Sequence, residues 1–309
     1  MKKIAVIGAI NMDIYLEVEN TPDDGETVVA TSSGKAYGGK GSNAAIATKK
    51  LGLDTSYYGC VGNDDYGREL LNNLDKMGID TKNVSVKDDV ATGTAYIALN
   101  SSGDNSIIAA PGGNQSITRE DIRENCYDMI EEADLVLIQL EISREGVLEI
   151  INICNELGKT LVLDTAPAKG WTAEEFKSVD YISPNEGELA DLLGRELTTK
   201  EEIIEGAREV VDMGIHNVVV TLGNKGSIYV GENGEVIEQD SYTVDVVDTT
   251  AAGDSFISGF SKGLLDGLNM KDSMDLGNKC GAIAVTKKGA SPSMPSSDDI
   301  ENFEKFLDS

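Results

Sequence analysis

The sequence predicts an α/β fold: a doubly wound, mostly parallel sheet with helices on both faces, plus a small antiparallel β lid. Three observations carry that expectation. Short runs rich in Val, Ile and Leu alternate with helix-period segments, the pattern of βαβ units whose strands are covered on both faces. Helical segments stop at glycines, as at Gly52, Gly78 and Gly158. Two separate stretches alternate polar and apolar residues with period two, as half-buried antiparallel strands do. The chain has 309 residues, no internal repeat and no low-complexity linker, so a single domain over 1–309 is expected. Its lid strands are inserted at about 11–37 and 92–110.

In chain order, Ile4–Ile10 has strand length, Ser42–Leu51 has helical period, and Thr55–Cys60 and Tyr66–Met77 repeat that pair. Leu135–Leu140 predicts a buried strand, Arg144–Glu156 a helix and Thr160–Leu163 a strand. Tyr181–Ser183 is a short strand, followed by helices at Glu186–Leu193 and Lys200–Met213. Val218–Thr221 is another buried strand. Helices at Ala251–Asp266, Met270–Lys287 and Asp298–Phe306 close the chain. The period-two segments are Ile14–Val18, Glu26–Thr31, Thr94–Leu99 and Ser106–Ala110. A sheet made from them would project over a ligand cleft and leave a face for a second subunit; plain edge hairpins are the alternative.

Composition narrows the function. A formal net charge of −28 argues against binding the nucleic-acid backbone, which needs clustered Lys and Arg. No apolar run reaches membrane-span length, and Met1-Lys2-Lys3 leads into a run too short for a signal peptide, so a cytoplasmic protein with no membrane partner is expected. Cys60, Cys126, Cys154 and Cys280 are far apart and lie in or beside apolar runs, so buried thiols are expected. His216 is the only histidine, which removes His-rich metal sites and disfavours a Ser-His-Asp triad. A chain this acidic that handles a polyanion must gather positive groups locally, from Mg²⁺, a few lysines and helix N-termini.

Candidate site residues recur at the C-terminal ends of strands, where open α/β sheets bind ligands. Asn11 and Asp13 follow the first strand and suit neighbouring sugar hydroxyls; an Asx turn is the plain alternative. Gly38-Gly39-Lys40-Gly41-Ser42-Asn43 opens the first long helix, with glycines for close ligand approach and an amide for a hydroxyl. It is not a P-loop, because Gly41 stands where the Mg²⁺-binding Ser or Thr belongs. No G-x-G-x-x-G follows Gly8, which disfavours a dinucleotide dehydrogenase. Glu141 ends another strand. Asn185 and Glu188, three apart, suit Mg²⁺ and its waters or a simple helix cap. Thr221-Leu222-Gly223-Asn224-Lys225-Gly226 forms a turn whose backbone can approach nucleotide phosphates.

The sharpest stretch is Asp248-Thr249-Thr250-Ala251-Ala252-Gly253-Asp254. It reads as a helix start, with a threonine cap and a small-residue first turn. Uncovered N–H groups there can hold an anion, and Asp254 sets a carboxylate at the same turn. Base and anion hole together suit deprotonation of a hydroxyl that attacks a phosphoryl group. An ordinary capped helix with an acidic first turn explains the same residues.

The Gly38–Asn43 and Asp248–Phe256 stretches resemble the two signatures of the PfkB sugar kinases, the ribokinase-like superfamily. Asn11-Met12-Asp13, Gln139-Leu140-Glu141, Pro184-Asn185-Glu186, Thr221-Leu222-Gly223 and Lys288-Gly289-Ala290-Ser291-Pro292-Ser293 match in order over nearly the whole chain. The resemblance implies an ATP-dependent sugar kinase, with D-ribose the expected substrate and deoxyribose, fructose or a nucleoside the alternatives. It implies Asp254 as general base and Ala251, Ala252 and Gly253 as anion hole. Asn11, Asp13, Gly39, Lys40, Gly41, Ser42, Asn43 and Glu141 would contact the sugar. Asn185, Thr221, Leu222, Gly223, Asn224, Lys225, Gly226, Gly253 and Asn278 would line the ATP site, with Glu188 supporting Mg²⁺. A monovalent cation, usually K⁺, would take side-chain oxygens from Asp248 and Ser293 and carbonyls from Thr250, Ala284, Lys287 and Gly289. The lid is expected to close over the sugar and to form a homodimer. Two stretches depart from the family's usual form: Asp164-Thr165-Ala166-Pro167-Ala168 and Pro111-Gly112-Gly113-Asn114.

Overall fold

The computed structural model describes residues 2–101 and 105–307. Strand β1 (Lys3–Ile7) enters the main sheet, and β2 (Asn11–Glu17) and β3 (Ser32–Gly38) leave it to begin the lid. Helix α1 (Lys40–Lys50) returns the chain to β4 (Asp54–Tyr58), before β5 (Cys60–Gly62), α2 (Asp65–Lys76) and β6 (Ser85–Lys87). The lid is completed by β7 (Gly93–Leu99) and β8 (Asn105–Ala110), and a 3₁₀ turn at Gly112–Ser116 leads back. Then come α3 (Arg119–Glu132), β9 (Leu135–Gln139), α4 (Arg144–Leu157), β10 (Leu161–Asp164) and β11 (Tyr181–Ser183). Next are α5 (Glu186–Leu193), α6 (Lys200–Asp212), β12 (Asn217–Thr221), β13 (Ser227–Gly231) and β14 (Val236–Gln239). The last helices are α7 (Ala252–Leu265), α8 (Met270–Ala284), α9 (Ala290–Ser293), α10 (Ser297–Glu301) and α11 (Phe303–Leu307).

The main sheet has the order β14-β13-β12-β11-β10-β9-β1-β4, parallel from β4 to β12 and antiparallel at the β13–β14 edge. Alternate residues of its strands feed two cores, as burial on both faces demands. Ile4 and Val6 pack with Ile46, Phe256 and Phe260 of α1 and α7, while Ala5 and Ile7 pack with Ile122, Ile150 and Cys126 on the other side. The lid has the order β3-β2-β7-β8, with antiparallel outer pairs and a parallel central pair. All four cysteines are free and buried. Among the described residues no helix is long and apolar enough to cross a membrane.

Several elements differ from the sequence reading. Glu26–Thr31 is not a strand: β2 pairs fully with Ser32–Gly38, so the residues before Ser32 have no ladder opposite them. Helix α3 was not anticipated, although Thr118 and Asp121 form a reciprocal capping box ahead of buried Ile122, Cys126, Met129 and Ile130. The β13–β14 hairpin was also not anticipated. The expected helix Asp298–Phe306 is two short helices broken at Asn302.

Candidate active site

The site forms where α1 and α7 start side by side beneath the lid. Gly39 and Gly41 let α1 begin this close to the end of β1. A Cβ at Gly39, where φ is +94°, would lie 2.6 Å from the Ala9 carbonyl, and one at Gly41 would lie 2.4 Å from the Gly8 carbonyl carbon. Gly41 therefore packs against the backbone of β1's end. Ser42 is also turned inward, its hydroxyl donating to the Gly38 carbonyl at 2.7 Å. Lys40, Asn43 and Glu141 are brought together around Asp254. The Lys40 N–H donates to Glu141 Oε2 at 3.0 Å, and Asn43 Nδ2 donates to Asp254 Oδ2 at 2.8 Å.

Asp254 is only 4 % exposed. Its second oxygen, Oδ1, has no hydrogen-bond partner and lies 3.7 Å from Lys40 Nζ. The Asp254 charge is the main influence holding the Lys40 ammonium above its ordinary range, against the opposing effect of burial. The helix start differs from expectation. Ala251, not a threonine, is the N-cap residue, in the left-handed region at φ 62°, and makes no side-chain cap. The Ala252 N–H is engaged by the Thr249 carbonyl at 3.2 Å. Gly253 borders open space, since a Cβ there would meet nothing within 4 Å.

Thr250 instead serves Asp248. Its N–H and hydroxyl both donate to Asp248 Oδ1, at 2.9 and 2.6 Å, and the Gly289 N–H donates to Oδ2 at 2.8 Å. Burial would raise the Asp248 pKa, but these donors hold it below the usual carboxylate range. Val285 O accepts from Val247 and Asp248, tying this loop to the end of α8 near Ala284 and Lys287. Ser293, fully buried in the helix that Gly289 caps, donates to the Ala290 carbonyl at 2.7 Å and keeps its oxygen lone pairs.

A cavity of about 220 Å³ is lined by Lys40, Asp164, Asn185, Glu188, Thr221, and the turn Ala251–Asp254. Asn185 and Glu188 form a capping box, and Glu188 Oε2 also accepts from Thr165 Oγ1 at 3.3 Å. The turn Gly223–Lys225 is 3₁₀, with Gly226 closing it at φ 97°. Leu222 and Lys225 face a neighbouring hollow with Ser227, Gln239 and Asp240. Asn278 is behind it: its amide donates to Ser227 Oγ and to the Gln239 and Asp240 carbonyls, at 3.2 to 3.4 Å, anchoring β14.

Two carboxyls are strongly perturbed. Burial, then the charges of Glu141 and Asp254, push Asp13 up to about 7. Burial likewise pushes Asp164 up to about 7, with Lys40 opposing and Asp254 and Glu188 adding. Asp164 was not among the expected site residues, and neither was Asn114, whose side chain holds that of Asn11. The signal for Asp164 was its place at the C-terminal end of β10, the same rim as Glu141.

A family model described as pfkB family carbohydrate kinase matches residues 1–297. The chain is 34% identical over 302 residues to a ribokinase of Haemophilus influenzae, covering 98% of each. It is 33% identical over 305 residues to a deoxyribokinase of Salmonella typhi, again covering 98% of each. The solved structure of Arabidopsis thaliana ribokinase complexed with ribose and ATP superposes with a TM-score of 0.91 at 31% identity, over 99% of this chain and 98% of that one. The chain belongs to the pfkB family of carbohydrate kinases, and it is a phosphotransferase with an alcohol group as acceptor.

Proposed function

We propose that this pfkB-family kinase transfers the γ-phosphoryl group of ATP to D-ribose, giving D-ribose 5-phosphate and ADP. The observation that carries the chemistry is Asp254: a buried carboxylate with one oxygen fixed by Asn43 and the other without a hydrogen-bond partner, facing the Lys40 ammonium, at a helix start bordered by open space. Ribose is favoured over another sugar by the ribokinases among its relatives and by Asn11 and Asp13, which suit adjacent hydroxyls.

In this reading Asp254 takes the proton from the primary hydroxyl as its oxygen attacks the γ-phosphorus in line with the departing ADP oxygen. N–H groups of Ala251–Gly253 face the charge that develops on the phosphoryl oxygens. The Ala252 contribution requires its bond to Thr249 O to be given up. Lys40 balances Asp254 and the incoming phosphates, and Asn11, Asp13, Lys40, Asn43 and Glu141 hold the sugar. Asn185, Thr221 and the turn Gly223–Gly226 line the nucleotide's place, and Asn278 supports it from behind.

Glu188 fits a hard divalent cation because its carboxylate borders the cavity beside Asp164. Mg²⁺ there would neutralise phosphate charge. The oxygen donors around Asp248 fit a monovalent cation, since Asp248 stays ionised and Ser293 keeps free lone pairs. K⁺ held by Asp248, Ser293 and the carbonyls of Thr250, Ala284, Lys287 and Gly289 would steady the turn that forms the hole. Exposed Tyr96, Ile107 and Ile108 on the lid support a homodimer through that sheet.

The reading is tested by turnover of D-ribose, 2-deoxyribose, fructose and adenosine with Mg-ATP, with and without K⁺. D-ribose should give the highest kcat/KM. A higher kcat/KM for 2-deoxyribose than for ribose would reassign the substrate, and no sugar turnover would overturn the proposed chemistry.

A further inference from the structure

Asn114 sits in the 3₁₀ turn between lid and main domain and is 1 % exposed. Its amide orientation is fixed by backbone groups whose roles cannot exchange. The Ile10 N–H donates to Asn114 Oδ1 at 3.0 Å, and the Ile10 carbonyl accepts from Asn114 Nδ2 at 3.2 Å. The atom of Asn114 that meets Asn11, at 2.8 Å, is therefore the donor Nδ2, and the Asn11 atom opposite it must be Oδ1. The Nδ2 of Asn11 is left pointing away, bonded to no described residue. Asn11 and Asp13 are two apart on β2 and so share a face of the lid, and Asp13 is in the field of Glu141 and Asp254. Gly93, opposite Asn11 in register, seals the pair. A Cβ there would lie 2.3 Å from Asn11 Oδ1 and 2.4 Å from Asn114 Nδ2.

We propose that Asn114 is a positioning residue that locks the Asn11 amide with its NH₂ toward the sugar, so that this corner of the cleft donates at residue 11 and accepts at residue 13. The inference rests on the proposed sugar site. A sugar hydroxyl has one hydrogen to donate and lone pairs to accept with, so a donor beside a carboxylate engages both functions of an O–H. A flipped Asn11 would set two acceptors side by side, competing for that hydrogen. Sequence separation hides the device: the two amides are 103 positions apart in the chain.

The test compares N114D, G93A, N11A and the doubles N11A/N114D and N11A/G93A with the unaltered chain, reading KM for D-ribose, KM for ATP and kcat. In N114D one carboxylate oxygen still accepts from Ile10, while the other draws the Asn11 NH₂ away from the sugar. The ribose KM should rise about tenfold, with kcat and the ATP KM within about threefold. G93A crowds the same pair without altering its polar atoms and should show the same split. Either change should add almost nothing in the N11A background. An unchanged ribose KM in N114D and G93A, or an equal rise with and without Asn11, overturns the proposal, as does a loss confined to kcat. If N114D does not fold, G93A with its double carries the decision. An unaltered chain that turns over a different sugar removes ribose as substrate but leaves the coupling to be read on that sugar. No sugar turnover overturns both readings.

Discussion

The cleft has two walls of different character. One is built by the starts of α1 and α7, where Lys40, Asn43 and Asp254 work through charge: a buried carboxylate, an amide clamp and an ammonium 3.7 Å away. The other lies at the lid edge, where Asn114 holds the Asn11 side chain by hydrogen bonds of fixed direction and Asp13 shares a strand face with Asn11. On the proposed reading, the charge of Asp254 on the first wall acts on the reacting atoms. On the same reading, a donor reversed on the second changes how well the sugar is held. Loss of the Asp254 carboxylate should fall on kcat, and losses at Asn11 and Asp13 on the sugar KM.

The largest effect expected is from Asp254→Asn, which keeps the shape and removes the proposed base. Its kcat should fall by about 10²–10⁴ with the ribose KM little changed. Steady-state rates decide this, and near-normal turnover would erase the distinction between the walls.

Asp13→Asn should act on the other wall, raising the ribose KM about tenfold while kcat falls much less. Its titration sharpens the comparison. With Asp13 raised to about 7 in the free protein, ribose kcat/KM should decline as pH drops below about 7, because the protonated acid no longer accepts freely. The decline should be absent in the Asn variant. Stability runs the opposite way. A carboxyl raised in the fold above its ordinary value binds its proton more tightly there, so its contribution is present below the ordinary pKa and lost as pH rises through about 7. Asp13→Asn should therefore raise the melting temperature more at pH 8 than at pH 5. An equal shift at both would show that Asp13 is not titrating in this range.

The smallest effect belongs to Asp248, which touches neither wall directly. Asp248→Asn weakens a site of three donors and one charge, and should lower kcat about threefold to tenfold while raising the KCl concentration needed for half activation. An unchanged KCl titration would remove Asp248 from the proposed cation site.

Local chemistry made the scaffold legible. The helices stopped by Gly52, Gly78 and Gly158 and the buried strands at Leu135–Gln139 and Asn217–Thr221 lie within a few residues of where their patterns put them. Misses came where a local pattern was read without its partner. Glu26–Thr31 alternates as a strand does, yet β2 is already used up by Ser32–Gly38. Thr250 has the chemistry of a cap, but Asp248 captures its hydroxyl, and Ala251 takes the left-handed turn instead. Gly41 and Ser42 lie in the stretch expected to contact the sugar, and the structure sets Gly41 against the Gly8 backbone and the Ser42 hydroxyl on the Gly38 carbonyl.

What the sequence determined by itself was the α/β class, the lid and the two small-residue helix starts, because hydrophobic period, helix stops and turn residues act over a few neighbours. Only the tertiary structure decided how the polar groups face one another. Asn43 reaches Asp254 across 211 residues and Asn114 reaches the Ile10 backbone across 104. Which atom donates and which carboxyl is pushed up depend on packing that brings distant rims of one sheet together, and on the burial that follows.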